Sequence, residues 1–212
     1  MSLLFTNLSH PLLPILVAFF GAYLSGSVPF GLILSRMAGV QDIRKEGSGN
    51  IGATNVLRVA GKKVAIATLL LDALKGFVPV MIAKSVHMDY ALLAALGAFL
   101  GHVFPVWLKF RGGKGVATAL GVVFGLSFAI GGILCAVWLM LAALMQYSSA
   151  AALGAFGIAP LLTLYLTGSL ETTLAVLLIS IVIWIRHAAN LKRLANGTEG
   201  KINFKKKDKP AA

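Results

Sequence analysis

Between Lys114 and Arg186 the chain carries one charged residue, Glu171. The seventy residues 116–185 therefore cannot coat a water-facing surface, since soluble domains average about 25% charged side chains. The rest of the chain agrees: 12% of its 212 residues are charged, 58% are hydrophobic, and the mean hydropathy is +0.88. This is the composition of an integral membrane protein, and the expected fold is all-α and polytopic. A spanning helix needs about 20 mostly apolar residues. Residues 12–37 supply one, with a breakable patch at 25–29. Residues 64–86 and 90–108 supply two more, joined by a short turn at 85–89. The run 116–185 is too long for two spans and fits four shorter ones, with breaks at 125–132, 146–149 and 167–171. Seven transmembrane helices are expected, with five as the alternative.

Both counts are odd, and the charges orient them. The first cation is Arg36, and most others fall at loops: Arg44, Lys45, Arg58, Lys62 and Lys63, then Lys109, Arg111 and Lys114, then Arg186 onward. By the positive-inside rule these loops are cytoplasmic, the N-terminus is outside and the C-terminus inside. One domain, residues 1–200, is expected, followed by a basic cytoplasmic tail, 201–212, that meets anionic headgroups. The net charge of +12 is thus topological, and nucleic-acid binding is not expected. The lone Cys135 permits no disulfide and no C-x-x-C metal spacing, and it reads as a packing residue. The N-terminus lacks the basic region of a signal peptide, so the first span is expected to be retained. Glycosylation sequons at Asn7 and Asn196 are uninformative.

Polar chemistry concentrates in three stretches. Residues 46–58 read E-G-S-G-N-I-G-A-T-N-V-L-R. The formal G-x-G-x-x-G follows a membrane helix rather than a strand, which removes the dinucleotide reading. What remains is local: glycines allow close backbone approach, Ser48, Asn50, Thr54 and Asn55 offer hydrogen bonds, and Arg58 offers a bidentate clamp. Residues 109–118 read K-F-R-G-G-K-G-V-A-T. The Walker spacing is absent, yet Gly112, Gly113, Lys114 and Gly115 open directly into a helix, presenting free N–H groups and a cation to an anion. In residues 186–199, His187 and Asn190 share a helix face. Asp72 and Lys75, three apart at membrane depth, are expected to pair with each other and organise the bundle. His102 is expected to be a packing histidine.

Together these residues resemble a known family. G-S-x-P-F-G at 26–31, G-S-G-N-I-G-A-T-N-V-L-R at 47–58, L-D-x-L-K-G at 71–76, G-H-x-F-P at 101–105, F-R-G-G-K-G-V-A-T at 110–118 and H-x-x-N-x-x-R-L-x-x-G-x-E at 187–199 are similar to the bacterial acyl-phosphate:glycerol-3-phosphate acyltransferases. The resemblance implies acyl transfer from acyl phosphate to the first hydroxyl of glycerol 3-phosphate, yielding lysophosphatidate and inorganic phosphate. It implies a bacterial cytoplasmic (inner) membrane enzyme with its site facing the cytoplasm, acting as a monomer without metal or cofactor. By position, Ser48, Arg58, Lys114, His187 and Asn190 are expected to be catalytic. Gly49, Asn50, Thr54, Asn55, Gly112, Gly113, Gly115 and Ser149 are expected to bind phosphate or substrate; Ser148 leaves the register of that last serine open. Asp72, Lys75, His102 and Glu199 are expected to be structural. Gln146 stands where a basic residue can occur in the family.

The reaction suits such a site. An acyl phosphate is already an activated anhydride, so positioning a hydroxyl against the acyl carbon supplies much of the acceleration, and cations neutralise developing charge. Direct transfer is expected, with a substrate phosphate taking the proton. The His-x4-Asp pair of the other large class of glycerol-phosphate acyltransferases is missing, because none of the four histidines has Asp five positions on. The rival reading is a transporter of a phosphorylated solute, which broken helices and intramembrane charges would suit.

Overall fold

The computed structural model describes residues 12–202. Asn7 and most of the basic tail lie outside them. All regular structure among the described residues is helical. The elements are α1 (Leu12–Gly26), α2 (Phe30–Met37), α3 (Ala53–Val59), α4 (Lys62–Lys84), α5 (Met88–Val103), α6 (Val116–Leu126), α7 (Phe128–Met145), α8 (Ser148–Thr167), α9 (Leu170–Arg186) and α10 (Ala188–Ala195). The expected breaks fall inside their windows. Ser127 alone separates α6 from α7, Gln146 and Tyr147 separate α7 from α8, and Gly168 and Ser169 separate α8 from α9. Gln146 and Gly168 close their helices in the left-handed region, at φ 61° and 62°.

Five described helical stretches are long and apolar enough to cross a membrane: Leu12–Met37, Lys62–Lys84, Met88–Leu108, Phe128–Met145 and Ser148–Thr167. The pair α9 and α10, bent by 55°, brings the number to six. The seventh expected span, α6, has 11 residues. At 1.5 Å each that is about 16 Å, roughly half a hydrocarbon core. The loop before α6 accounts for the shortfall. It folds back on the end of α5, with Gly112 N donating to the Val103 carbonyl (3.1 Å) and Gly113 N to that of His102 (3.2 Å).

Small residues bring the helices together, as expected where lipid removes the hydrophobic drive between them. A Cβ on Gly26 would collide with the Ala98 backbone, and one on Gly121 with that of Ala73, so α1 packs closely on α5 and α4 on α6. The core lies around α5, α6 and the inner faces of α8 and α9, with Phe99, Val122, Phe156 and Ile179 buried in it.

The break between α1 and α2 is held by the α4 charges. Lys75 Nζ lies 2.7 Å from Asp72 Oδ1 and donates to the Val28 carbonyl at 2.7 Å. That carbonyl belongs to the interrupted segment 27–29, so the ammonium satisfies backbone that no helix satisfies. Both side chains are nearly inaccessible, in line with the pairing expected from their spacing.

Candidate active site

The first loop is built around Asn55. Its side chain is buried; Nδ2 donates to the carbonyls of Ile43 (3.3 Å) and Glu46 (3.0 Å), and Oδ1 accepts from Ser48 N at 2.8 Å. Asn50 Oδ1 accepts from Gly52 N at 2.8 Å, which starts α3. Of the four polar groups read as ligand contacts here, two are thus engaged in shaping the loop. Gly49 turns the chain at φ 71°, and the Ser48 side chain is left exposed. Thr54 and Arg58 lie on α3 and leave the loop for the rest of the site. Thr54 Oγ1 lies 3.0 Å from Ser148 Oγ, and an Arg58 guanidinium nitrogen donates to the Gly200 carbonyl at 2.8 Å.

Three segments distant in sequence then join through Glu199. Its Oε1 accepts from Ser149 Oγ (2.7 Å) and Asn190 Nδ2 (2.6 Å), and its Oε2 accepts from Arg193 Nε (2.7 Å). Asn190 Oδ1 in turn accepts from Lys114 Nζ at 2.5 Å. The carboxylate expected to be structural is the hub that fixes Ser149, Asn190 and, through Asn190, the loop lysine. Ser148 and Ser149 both take part, one facing Thr54 and the other Glu199. The strand of chain beyond Glu199 stays attached, because Ile202 N donates to the Gln146 carbonyl at 2.7 Å.

The glycine loop owes its shape to close approach. Gly115 sits at φ 84°, and a Cβ there would strike the Phe99 ring. Arg186 spans its entrance, donating to the Gly112 carbonyl at 3.0 Å and lying 5.9 Å from the centre of the Phe104 ring. Neither Arg186 nor Arg193 was given a site role from the sequence, where Arg186 read as a topology signal and Arg193 entered only as a letter of the last motif. Arg186 ends α9 beside Gly112, and Arg193 lies beyond the bend into α10, neither of which composition announces.

His187 occupies that bend and is buried. Its Nδ1 lies 2.8 Å from the Ile183 carbonyl, an oxygen that can only accept, so Nδ1 carries the proton. Burial, and then the Lys114 charge, push its pKa down to about 4, so the ring is neutral near pH 7 and Nε2 is an acceptor. Burial likewise lowers Lys114 to about 8, which leaves it mostly charged at neutral pH. Burial works against the Glu199 carboxylate, yet hydrogen bonds from Ser149, Asn190 and Arg193 hold it below its ordinary value. Lys114 thus feels three further cations, Arg58, Arg186 and Arg193, and one carboxylate, Glu199, an excess of positive charge suited to phosphate. Among the described residues no group of three or more His, Cys, Asp or Glu is placed to hold a metal ion.

Comparison with known proteins matches residues 16–197 to the family described as glycerol-3-phosphate acyltransferase. A glycerol-3-phosphate acyltransferase of Mesorhizobium japonicum is 54% identical over 90% of this chain and 97% of its own, and one of Sinorhizobium fredii is 53% identical over 86% and 90%. The fold matches the crystal structure of PlsY (YgiH), an integral membrane glycerol 3-phosphate acyltransferase, in its glycerol 3-phosphate form. The TM-score is 0.86 at 38% identity, covering 89% of this chain and 96% of that one. The lysophosphatidic acid form of the same enzyme gives 0.83 at 36% identity, covering 90% and 96%.

Proposed function

This chain belongs to the glycerol-3-phosphate acyltransferase family, and from that premise we propose that it moves an acyl group from acyl phosphate to the sn-1 hydroxyl of glycerol 3-phosphate. The products are lysophosphatidate and inorganic phosphate. The observation that carries the proposal is the joining of Lys114, Asn190, Glu199 and Ser149 in one hydrogen-bonded chain, with Arg58 tied in at Gly200.

In this reading Lys114, the N–H groups of Gly112, Gly113 and Gly115, and Arg58 hold the substrate phosphates. Thr54, Ser149, Gly49 and Asn50 line the approach, and Asn55 keeps the loop closed. The Nε2 atom of His187 accepts a hydrogen bond from the glycerol hydroxyl, and Ser48 and Asn190 hold that hydroxyl in line. The hydroxyl oxygen then bonds to the acyl carbon, the bond from that carbon to the phosphate oxygen breaks, and the electron pair leaves with phosphate. A histidine with a pKa of about 4 is a good hydrogen-bond acceptor but a poor proton store. The departing phosphate oxygen, which takes the electron pair and gains a full negative charge as the bond breaks, is the better destination for the hydroxyl proton.

The same reading places residues 1–200 as one domain and all seven apolar segments across a bacterial cytoplasmic membrane. The N-terminus is then outside and the site and tail are cytoplasmic, with a monomer as the working unit. Purified protein given acyl phosphate and glycerol 3-phosphate is expected to release phosphate and lysophosphatidate in equal amounts. Activity with an acyl thioester donor alone would refute the donor assignment. A cysteine at the exposed Gln146 is expected to react only from the cytoplasmic side, and labelling from outside would refute the seven-span topology.

A further inference from the structure

The buried pair of α4 reaches the glycine loop through one side chain. His102, near the end of α5, is buried against both. Its Nδ1 lies 3.7 Å from Asp72 Oδ1, while its Nε2 edge faces Gly113 so closely that a Cβ on Gly113 would overlap the ring. The His102 carbonyl accepts from Gly113 N at 3.2 Å. Backbone and side chain of one residue thus hold the same glycine from two directions. Lys75 secures the far end, bonded to Asp72 and to the Val28 carbonyl. Gly113 immediately precedes Lys114, so the position of the imidazole sets where the Lys114 ammonium and the loop N–H groups point.

We propose that His102, braced by the Asp72–Lys75 pair, is a positioning residue that sets the height of the glycine loop and so tunes its grip on a phosphate-bearing substrate. This rests on the function proposed above. It goes beyond a packing role, because a packing histidine needs only to fill volume, whereas this ring is matched to the absence of a side chain at Gly113. The substrate most exposed to the change is glycerol 3-phosphate. It has no acyl chain to retain it, so its binding depends on the charged loop more than that of the lipid donor does.

The test is a size-complementation cycle of Gly113→Ala, His102→Ala and the double variant in detergent-purified full-length protein. It reads kcat and KM for both substrates, calorimetric binding of glycerol 3-phosphate, and thermal unfolding. His102→Ala is expected to raise the KM for glycerol 3-phosphate about tenfold with kcat within about twofold, the loss of roughly one charge-assisted hydrogen bond. Gly113→Ala, which forces a methyl into the ring, is expected to be worse. The double variant is expected to bind at least tenfold better than the product of the two single effects, because removing the ring removes the clash. His102→Asn, which is smaller yet polar, serves in the same cycle if the alanine variant does not fold. Independent effects of the two substitutions, or a loss confined to unfolding temperature with KM unchanged, would overturn the proposal. Coupling between the two substitutions in glycerol 3-phosphate binding, with a wild-type protein that binds it yet turns over no acyl phosphate, would overturn the functional reading and leave the positioning role standing.

Discussion

Lys114 offers the sharpest test of the site, because its charge and its burial pull against each other. The pKa falls from 10.5 to about 8 as the chain folds, chiefly through desolvation. At pH 7 about nine-tenths of the side chains are charged, and at pH 9 about one-tenth. If the ammonium neutralises substrate phosphate, kcat/KM should be level to about pH 7.5 and then fall, approaching tenfold per pH unit above 8. Ionisation of glycerol 3-phosphate lies near pH 6 and does not contribute to that limb. Lys114→Arg keeps its charge throughout, since a guanidinium does not deprotonate in this range. Its activity should be lower at pH 7 for want of the bond to Asn190, yet flat to pH 10. An alkaline limb near 8 that persists in the arginine variant would refute the assignment.

The sign of the linked stability change separates this loss from unfolding. A folded-state value below the unfolded one means that the buried charge costs stability, on the order of 3 kcal/mol, wherever both states are protonated, below about pH 8. Between about pH 8 and 10.5 the unfolded chain binds more protons than the folded one, so the cost disappears as pH rises. The unfolding temperature of wild type relative to Lys114→Met should therefore rise across the window in which activity falls. A parallel decline of both would indicate alkaline unfolding.

Arg58→Ala should reduce kcat/KM by at least about 10²-fold in the phosphate-release assay, because a charged clamp and its tie to Gly200 are lost together. His187→Gln should lower kcat by about 10²-fold with little change in KM, the pattern of an interaction made chiefly in the transition state, measured by steady-state kinetics across both substrates. Glu199→Ala strands Ser149, Asn190 and Arg193 at once, and at about 1 to 3 kcal/mol for each bond to a charged group it should lower both unfolding temperature and activity. Lys75→Met should lower the unfolding temperature by more than a surface substitution, because it leaves Asp72 buried without its partner, a loss of about 3 to 5 kcal/mol in soluble proteins.

Helix boundaries were legible because glycine, proline and serine punctuate apolar runs whatever packs around them; Ser127 and Gly168 lie where the sequence breaks. The pairing of Asp72 with Lys75 was legible for the same local reason, since three residues is nearly one helical turn. Roles that depend on a partner from another helix were not. Asn55 and Thr54 are adjacent polar residues of one motif, yet Asn55 turns inward to bind loop carbonyls while Thr54 faces Ser148. Residue type alone does not separate them, because an amide serves a loop carbonyl as well as a ligand. Arg186 and Arg193 were missed for the converse reason. A cation beside a span always satisfies the topology rule; the end of α9 meets the glycine loop at Arg186, and the 55° bend beyond it carries Arg193 in α10, which bonds Glu199.

Chain parity supports the proposed seven spans more directly than helix length does. Thr54 meets Ser148, and Lys114 meets Asn190, so residues 54 and 148 lie at one face of the bundle, as do 114 and 190. Ser149 and Asn190 share Glu199, which makes these one face. A chain that returns to a face has crossed an even number of times. In the proposed topology those crossings are α4 and α5 between 54 and 114, α6 and α7 between 114 and 148, and α8 and α9 between 148 and 190. A five-span chain in which α6 and α7 make one traverse would put Ser148 opposite Lys114, which these hydrogen bonds argue against. The opposite end agrees: Lys84 Nζ, closing α4, donates to the carbonyl of Leu126, closing α6, at 2.6 Å. In the proposed topology α4 and α6 run parallel, and their ends meet there.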